Sequence, residues 1–326
     1  MTRIGLLGAG HLGKIHLRLL KEIETVELVG FFDLDPDVRS KVSETYSVPT
    51  FDTYDALLEQ VEAVDIVTPT TTHFEMAQKA LQLGKHIFIE KPLTQNPKEA
   101  LDLISLVKEK GVVAQVGHVE RFNPAFLTVG ESAISPMFIE GHRLAQYNPR
   151  GTDVSVVLDL MIHDLDVVLS LVNSPVQEIS ASGVAVISDS PDIANARIEF
   201  ENGCVANLTA SRISVKNMRR LRMFQKNTYL VVDFLEKKAE TFKITEEPPA
   251  QGAMRFDLDS GKKQKYLIYE SPEVQPVNSI KMELEEFVSS IETGSRTRVS
   301  IEDGYKALQV AHEIIHRIEE KLEKVK

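Results

Sequence analysis

An apolar run, Ile4 to Leu7, leads directly into Gly8-Ala9-Gly10-His11-Leu12-Gly13 and then into a helical pattern with Ile15, Leu19, Leu20 and Ile23 on one face. A G-x-G-x-x-G between a strand and a helix has a physical reading. Its glycines permit a tight turn, close approach of backbone to a pyrophosphate and close helix–strand packing, and the helix N-terminus, at His11 and Leu12, offers N–H groups and a positive dipole end to phosphates. Alone, the motif is also met in ordinary turns. Here Asp33 stands twenty residues after Gly13, at the end of the next apolar run, where a carboxylate accepts hydrogen bonds from an adenosine ribose. The same charge repels a 2′-phosphate, and the following residue is Leu34 rather than a base, so NAD is favoured over NADP.

The rest of the first 118 residues repeats the alternation of β-rich runs and helical periodicity: Val26 to Phe32, Ala63 to Val67, His86 to Ile89 and Val112 to Val116, with helical stretches between. That is the pattern of βαβ units. Beyond residue 119 the period shifts towards two, with segments at Ile179 to Ile187, Ala194 to Phe200, Val205 to Ile213, Leu221 to Phe224, Tyr229 to Phe234 and Thr241 to Ile244. The expected fold is α/β, an N-terminal Rossmann parallel sheet over 1–118 plus a C-terminal α+β domain over 119–326 with a large, mostly antiparallel open sheet. Two closing helices, 279–291 and 301–324, are expected to pack back towards the Rossmann domain. Ser300 followed by Asp303 marks the start of the second.

Composition narrows the partners. The 326 residues carry a net charge of −11, which repels a phosphate backbone, so nucleic acid is excluded as an average property. One cysteine, Cys204, cannot form an internal disulfide or a Cys-rich metal cluster. No apolar run reaches the roughly 20 residues of a membrane span, and no secretory leader is evident, so a cytoplasmic protein without a membrane partner is expected.

Three further stretches make the sequence resemble the Gfo/Idh/MocA family of nicotinamide-dependent oxidoreductases: Thr68-Pro69-Thr70 with His73, Glu90-Lys91-Pro92, and Asp159 with His163 and Asp166. The resemblance extends over essentially the whole chain. It implies a Rossmann domain followed by an α/β domain whose open sheet mediates homodimers or homotetramers. It also implies that Thr68, Pro69, His73, Glu90 and Lys91 belong to the cofactor pocket.

The residue types suit the implied chemistry. Lys91 follows a strand and precedes Pro92, at the sheet edge where α/β ligands bind, and its ammonium can stabilise charge on a reacting oxygen. Asp159 and His163 are four residues apart on an expected helix, so the carboxylate can orient the imidazole for proton transfer near neutrality. Ordinary helix-surface pairing is the bland alternative. A metal at Asp159, His163 and Asp166 fits by residue type, but hydride transfer with a lysine electrophile needs none, and no metal is expected. Arg121 and Asn123, in Gly117-His118-Val119-Glu120-Arg121-Phe122-Asn123-Pro124, and Tyr147 and Arg150 are candidate substrate ligands with Asp159 and His163.

Thr70 stands where the family commonly has Asn, and Met161 replaces a small residue between the aspartate and the histidine. The strings around Arg121 and His163 are similar to a branch acting at C3 of UDP-N-acetylglucosamine, implying a sugar or nucleotide-sugar substrate. A reductase of a biliverdin-like substrate and a non-catalytic NAD-binding sensor are the alternatives, against which the joint presence of Lys91, Asp159 and His163 argues. The stretch Arg212 to Lys226 holds six basic residues and no acid, and reads either as a solvated strand pair or oligomer contact, or as a site for an anionic substrate group such as a diphosphate.

Overall fold

The computed structural model describes residues 1–130, 134–148, 154–247, 254–259 and 264–324. They divide into two compact units, Met1–Phe122 with Asn278–Gln309, and Asn123–Val277 with Val310–Lys326. The division falls just beyond the boundary expected at 118, and the terminal helices contribute to both units rather than to the second alone.

In the first unit, β1 (Thr2–Leu7), β2 (Val26–Phe32), β3 (Ala63–Ile66), β4 (His86–Glu90) and β5 (Ala114–Gly117) pair in parallel in the order β2-β1-β3-β4-β5. They are joined through α1 (His11–Lys21), α2 (Pro36–Tyr46), α3 (Tyr54–Leu58), α4 (Thr70–Gln82) and α5 (Pro97–Lys110). The short α3, capped by the Thr53 hydroxyl, lies between α2 and β3. Local chemistry sets several helix ends. The Asp35 carboxylate accepts from the N–H groups of Asp37 and Val38, and Pro36 occupies the first turn. Asn96 caps α5, and Gly111 ends it in left-handed geometry.

The strand order reverses direction beside β1, so the loops after β1 and β3 flank the position where open α/β sheets bind ligands. Beneath them Ile4, Leu6, Leu17, Leu20, Phe31 and Phe88 form one core. The helix α8 (Ser279–Thr293) seals that core with Leu284, Phe287 and Val288, and Phe287 meets Phe88 edge-on at 5.9 Å. Each such side chain stabilises the unit by about 1.5–3 kcal/mol through burial. Ser300 opens α9 (Ile301–Glu323) as expected: its N–H donates to Asp303 Oδ2 and its Oγ accepts from the Asp303 N–H, a reciprocal cap.

The second unit is built on a nine-stranded sheet in the order β13-β14-β12-β11-β10-β6-β9-β8-β7, antiparallel throughout except for the β6–β9 pair. Its strands are β6 (Phe138–Leu144), β7 (Val176–Val184), β8 (Ile193–Phe200), β9 (Val205–Ser211), β10 (Met218–Gln225), β11 (Thr228–Asp233), β12 (Lys238–Thr245), β13 (Met254–Asp259) and β14 (Gln264–Glu270). Burial alternates along β6, β8 and β9, as a half-covered sheet requires.

Sequence periodicity did not announce β6, because Arg143 interrupts its apolar face. The structure shows why an arginine is tolerated there. Its guanidinium donates to both carboxylate oxygens of Asp164, at 3.1 and 2.8 Å, with both side chains 3% exposed. Gly141 in the same strand is required by packing, since a Cβ there would lie 2.6 Å from methyls of both Leu208 and Leu221.

The helix expected to carry Asp159 and His163 is corrected to a π turn, Val157–Met161, running into α7 (Ile162–Leu171). The short α6 (Pro124–Val129) precedes β6.

Candidate functional site

A cleft of about 580 Å³ opens over the first unit's strand ends, lined among others by Gly8, Gly10, His11, Leu12, Asp33, Thr68, Pro69, Glu90 and Lys91. These nine were singled out from the sequence. Leu7, Phe32, Leu34 and Val67 around the strand ends and Thr72 and Met76 on α4 complete the walls, and sequence reasoning did not single them out as cleft residues because none belongs to a short chemical motif.

The three glycines meet different demands. Gly8 has φ +91°, and a Cβ on it would press to 2.8 Å from the Val67 carbonyl oxygen. A Cβ on Gly13 would come within 1.9 Å of the Gly8 carbonyl oxygen, so Gly13 serves helix–strand contact rather than the cleft wall. Gly10 differs from both, since its φ is an ordinary −67° and a Cβ there would meet nothing within 4 Å. Nothing among the described residues demands glycine at 10, and the space beside it is open to a ligand. The α1 N-terminus behind it has no side-chain cap and no acid in its first turn, leaving its N–H groups to an anion.

Asp33 is fixed by two backbone donors: the Ala9 N–H reaches Oδ2 at 2.7 Å and the Asp35 N–H reaches Oδ1 at 3.0 Å. A carboxylate accepts about four hydrogen bonds, so capacity remains for ribose hydroxyls. Arg39 donates to the main-chain oxygens of Asp33 and Leu34, at 2.8 and 3.4 Å. These features fit the phosphates and ribose of a dinucleotide.

His73, expected in the cofactor pocket, braces the loops beside it and is not among the residues lining the cleft. It is 1% exposed, and its ring nitrogens lie 2.9 Å from the Thr68 carbonyl oxygen and 3.0 Å from that of Pro92, tying together the loops that carry Thr68 and Lys91. Burial lowers its pKa, with the two carbonyl contacts opposing. Thr72 supports the same loop, its hydroxyl donating to Thr68 Oγ1 at 2.8 Å.

Lys91 is half-buried, preceding Pro92 across a cis peptide bond. Buried His118 lies close enough for the Lys91 charge to act on it; burial, then Lys91 and Arg121, press its pKa down to about 3 and keep it neutral. Directly behind Lys91 the Glu90 side chain is wedged against Gly117, where a Cβ would lie 2.9 Å from its carboxyl carbon. Glu90 Oε2 accepts from the Lys91 backbone N–H at 3.1 Å.

Behind Glu90 lies a cluster that sequence reasoning missed. His16 Nδ1 sits 2.9 Å from Asp65 Oδ2 and His16 Nε2 3.4 Å from Glu90 Oε1, with His16 and Asp65 essentially without solvent contact. Ligand atoms of His16, Glu90 and Glu283 approach within 4.8 Å of one another, the arrangement among the described residues with the donors to hold a metal ion. The one signal was Asp65, an acid inside the buried strand Ala63-Val64-Asp65-Ile66. Burial alone would lower the His16 imidazole, but Asp65 and Glu90 outweigh it and hold its pKa well above the ordinary value.

Two of the expected substrate ligands make contacts with the backbone. Asn123 is 5% exposed and serves the backbone, its Oδ1 capping α6 at the Ala125 N–H and its Nδ2 donating to the Phe234 carbonyl oxygen at 3.0 Å. Arg121, 7% exposed, donates to the Arg298 carbonyl oxygen at 3.3 Å. Tyr147 is exposed, and Arg150 lies outside the described residues.

In the second unit, Asp159 occupies the π turn and His163 the first turn of α7, both half-buried, so the side-by-side α-helical spacing expected for them is replaced by a wider turn. The next residue, Asp164, anchors α7 to β6 through Arg143. Asp166 is buried in the same helix. The basic stretch is partly absorbed by the sheet: Arg212 donates to the Val154 carbonyl oxygen, Arg220 faces Glu240 at 3.4 Å, and Arg222 pairs with Glu140 at 2.7 Å. Buried Cys204 has its thiol pushed up to about 11 by burial.

A family model described as the oxidoreductase family with an NAD-binding Rossmann fold matches residues 2–118, and the family's C-terminal domain model matches 137–230. The chain belongs to the Gfo/Idh/MocA family. It is therefore a nicotinamide-dependent oxidoreductase of the dehydrogenase type. It is 41% identical over 234 residues, 72% of this chain and 74% of the other, to a UDP-N-acetylglucosamine 3-dehydrogenase of Acidithiobacillus ferrooxidans. The crystal structure of that organism's UDP-N-acetylglucosamine 3-dehydrogenase GnnA superposes with a TM-score of 0.87 at 33% identity, covering 98% of both chains. A scyllo-inositol 2-dehydrogenase (NAD(+)) of Bacillus subtilis is 32% identical over 235 residues, 65% of this chain and 68% of the other. No described helix is long and apolar enough to cross a membrane.

Proposed function

We propose that the chain is an NAD-dependent dehydrogenase that oxidises the C3 hydroxyl of a UDP-N-acetylhexosamine to a ketone. The observation that carries this reading is the similarity, across 98% of both chains, to a UDP-N-acetylglucosamine 3-dehydrogenase, in a chain that has Lys91, Asp159 and His163. NAD, when bound, supplies the hydride acceptor. Gly8, Gly10, His11, Leu12 and Asp33 would hold its phosphates and adenosine ribose, with Thr68, Pro69 and Glu90 beside the nicotinamide half. NAD is preferred to NADP because the Asp33 carboxylate repels a 2′-phosphate.

Lys91 donates a hydrogen bond to the reacting oxygen and stabilises the charge that develops as its proton leaves. His163 accepts that proton, and Asp159 holds the imidazole in the tautomer that can do so. Tyr147 and Arg150 are the candidates for binding the sugar nucleotide. The open face of the nine-stranded sheet is the proposed contact of a homodimer or homotetramer, which light scattering on the purified protein reads.

A second reading, a cyclic polyol as substrate, is favoured by the similarity to the inositol dehydrogenase. One experiment separates the two: NADH absorbance with UDP-N-acetylglucosamine, UDP-N-acetylgalactosamine, free N-acetylglucosamine and inositols, with NADP in parallel. Turnover confined to the UDP-sugars is the expected result, and turnover confined to inositols would refute the nucleotide-sugar assignment. Lys91→Ala should reduce turnover on the order of a hundredfold or more while NAD affinity is largely kept.

A further inference from the structure

Behind Lys91, three elements of the first unit bring metal-binding donors together: His16 from α1, Glu90 from the end of β4 and Glu283 from α8. All three residues are buried, and their donor atoms lie within 4.8 Å of one another. Glu283 is 0% exposed, and neither of its carboxyl oxygens has a hydrogen-bond partner among the described residues. Its turn of helix is held through the main chain instead, where its carbonyl oxygen accepts from Gln115 Nε2 at 2.9 Å. The side chain is left to carry two unused acceptors into a dry interior.

His16 is oriented as a metal ligand would be. Asp65 Oδ2 lies 2.9 Å from Nδ1, and a carboxylate in that position fixes the proton on Nδ1 and leaves the Nε2 lone pair for a metal. Nε2 faces the carboxylates of Glu90 and Glu283, makes no hydrogen bond, and stands 3.4 Å from Glu90 Oε1. Two donors about 2.1 Å from a tetrahedral zinc ion are themselves about 3.4 Å apart. A proton between Nε2 and Glu90 leaves Glu283 unserved, whereas a cation among the three serves them all.

Charge points the same way. Asp65, Glu90 and Glu283 place three carboxyl groups around one imidazole, an excess of anion that burial makes costly unless it is compensated. We propose that a divalent transition-metal ion, Zn²⁺ by the donor set, binds between His16 Nε2, Glu90 Oε1 and the Glu283 carboxylate, in a structural site that ties α1 and α8 to the strand end carrying Lys91.

One imidazole with two carboxylates suits zinc, whereas Mg²⁺ prefers oxygen donors and keeps several waters for which a buried site has no place. The ion takes the place of the proton that the metal-free imidazole carries. Glu283 closes the remaining distance at no loss, having no side-chain hydrogen bond to give up. Glu90 lines the cofactor cleft, with 11% of its side chain exposed, and so offers the ion a way in. Its other oxygen, Oε2, stays on the Lys91 N–H at 3.1 Å, so the ion fixes the backbone of the lysine through one intervening carboxylate.

The test uses the full-length protein, stripped with EDTA, reloaded with Zn²⁺ and freed of loose ion by gel filtration. Metal content by mass spectrometry and melting temperature are read on wild type, Glu283→Gln, Glu283→Ala and His316→Ala, the last removing an exposed histidine of α9 that an adventitious surface ion would use. Wild type and His316→Ala should retain about one zinc per chain and melt several degrees above their stripped forms, and Mg²⁺ should produce neither effect. Glu283→Gln, which keeps the shape and loses the charge, should bind zinc at least tenfold more weakly, and Glu283→Ala should retain none.

A wild-type protein that retains no zinc and does not respond to it thermally would overturn the proposal. So would zinc held as tightly by the Glu283 variants as by wild type, loss of the ion in His316→Ala, or an equal thermal response to Mg²⁺. Neither readout needs NAD or a sugar, so failure of the substrate assignment and failure of this one are read separately. Should Glu283→Ala not fold, the affinity of Glu283→Gln decides.

Discussion

Gly10→Ala and Gly13→Ala add the same methyl group to the same six-residue turn and should fail in opposite ways. At Gly10 the backbone is extended with negative φ, and the new Cβ meets no protein atom within 4 Å. Folding should be unharmed, or improved by about 0.4–1 kcal/mol, because alanine has less freedom to lose from the unfolded chain. The space it fills is the one proposed for the pyrophosphate, so NAD affinity should fall at least tenfold, or by about 1.4 kcal/mol. At Gly13 the Cβ would stand 1.9 Å from the Gly8 carbonyl oxygen. Relieving that overlap requires backbone, not a flexible side chain, to move by roughly 1 Å, a cost of about 1–3 kcal/mol or more. At roughly 2–4 °C per kcal/mol for a chain somewhat shorter than this one, Gly13→Ala should melt several degrees below wild type. Calorimetry with and without NAD reads both quantities on each variant. A Gly10→Ala protein that binds NAD as tightly as wild type would refute the placement of the pyrophosphate. A Gly13→Ala protein as stable as wild type would refute the packing argument.

Asp164→Ala leaves the Arg143 guanidinium buried without its bidentate partner and should cost about 3–5 kcal/mol by denaturant titration. Asp192 accepts from the N–H groups of Val186, Ile187 and Ser188 at 2.7–3.0 Å, closing the β7–β8 connection, and Asp192→Ala should cost about 2 kcal/mol near neutral pH. Burial would raise the Asp192 carboxyl, but those donors outweigh it and hold its pKa below the usual range. Its stabilisation is therefore present above the unfolded value of about 3.9 and is lost as pH falls through the folded one, so the melting gap between wild type and variant should narrow below about pH 4. Asp33→Ala should lower kcat/KM with NAD about tenfold or more and narrow the preference for NAD over NADP, read from paired NADH and NADPH assays.

Much of the cofactor cleft was legible because its parts are local. The turn Gly8 to Gly13, the carboxylate at Asp33 and the lysine before Pro92 are each specified by a few consecutive residues, and the strand order brings their ends together. The same locality made the Ser300 cap readable. Reading by residue type does not show where a polar side chain also serves the backbone. Asn123, His73 and Arg121 have the chemistry of ligands, but they are buried against carbonyl oxygens and peptide N–H groups that no short motif displays.

What the amino-acid sequence determined by itself was thus the alternation of elements, the dinucleotide turn and the residues that bear charge. Tertiary structure decided which of those charges are neutralised and by what. Arg143 disguised β6 as a polar segment until Asp164, on another element, accounted for it. His16, Asp65, Glu90 and Glu283 come from α1, β3, β4 and α8 and meet only when the parallel sheet and its closing helix are assembled. The physical reason is the same in both cases: the protonation and cost of a buried polar group depend on its desolvation and on partners within a few ångströms, and chain connectivity does not specify either until the long-range packing is made.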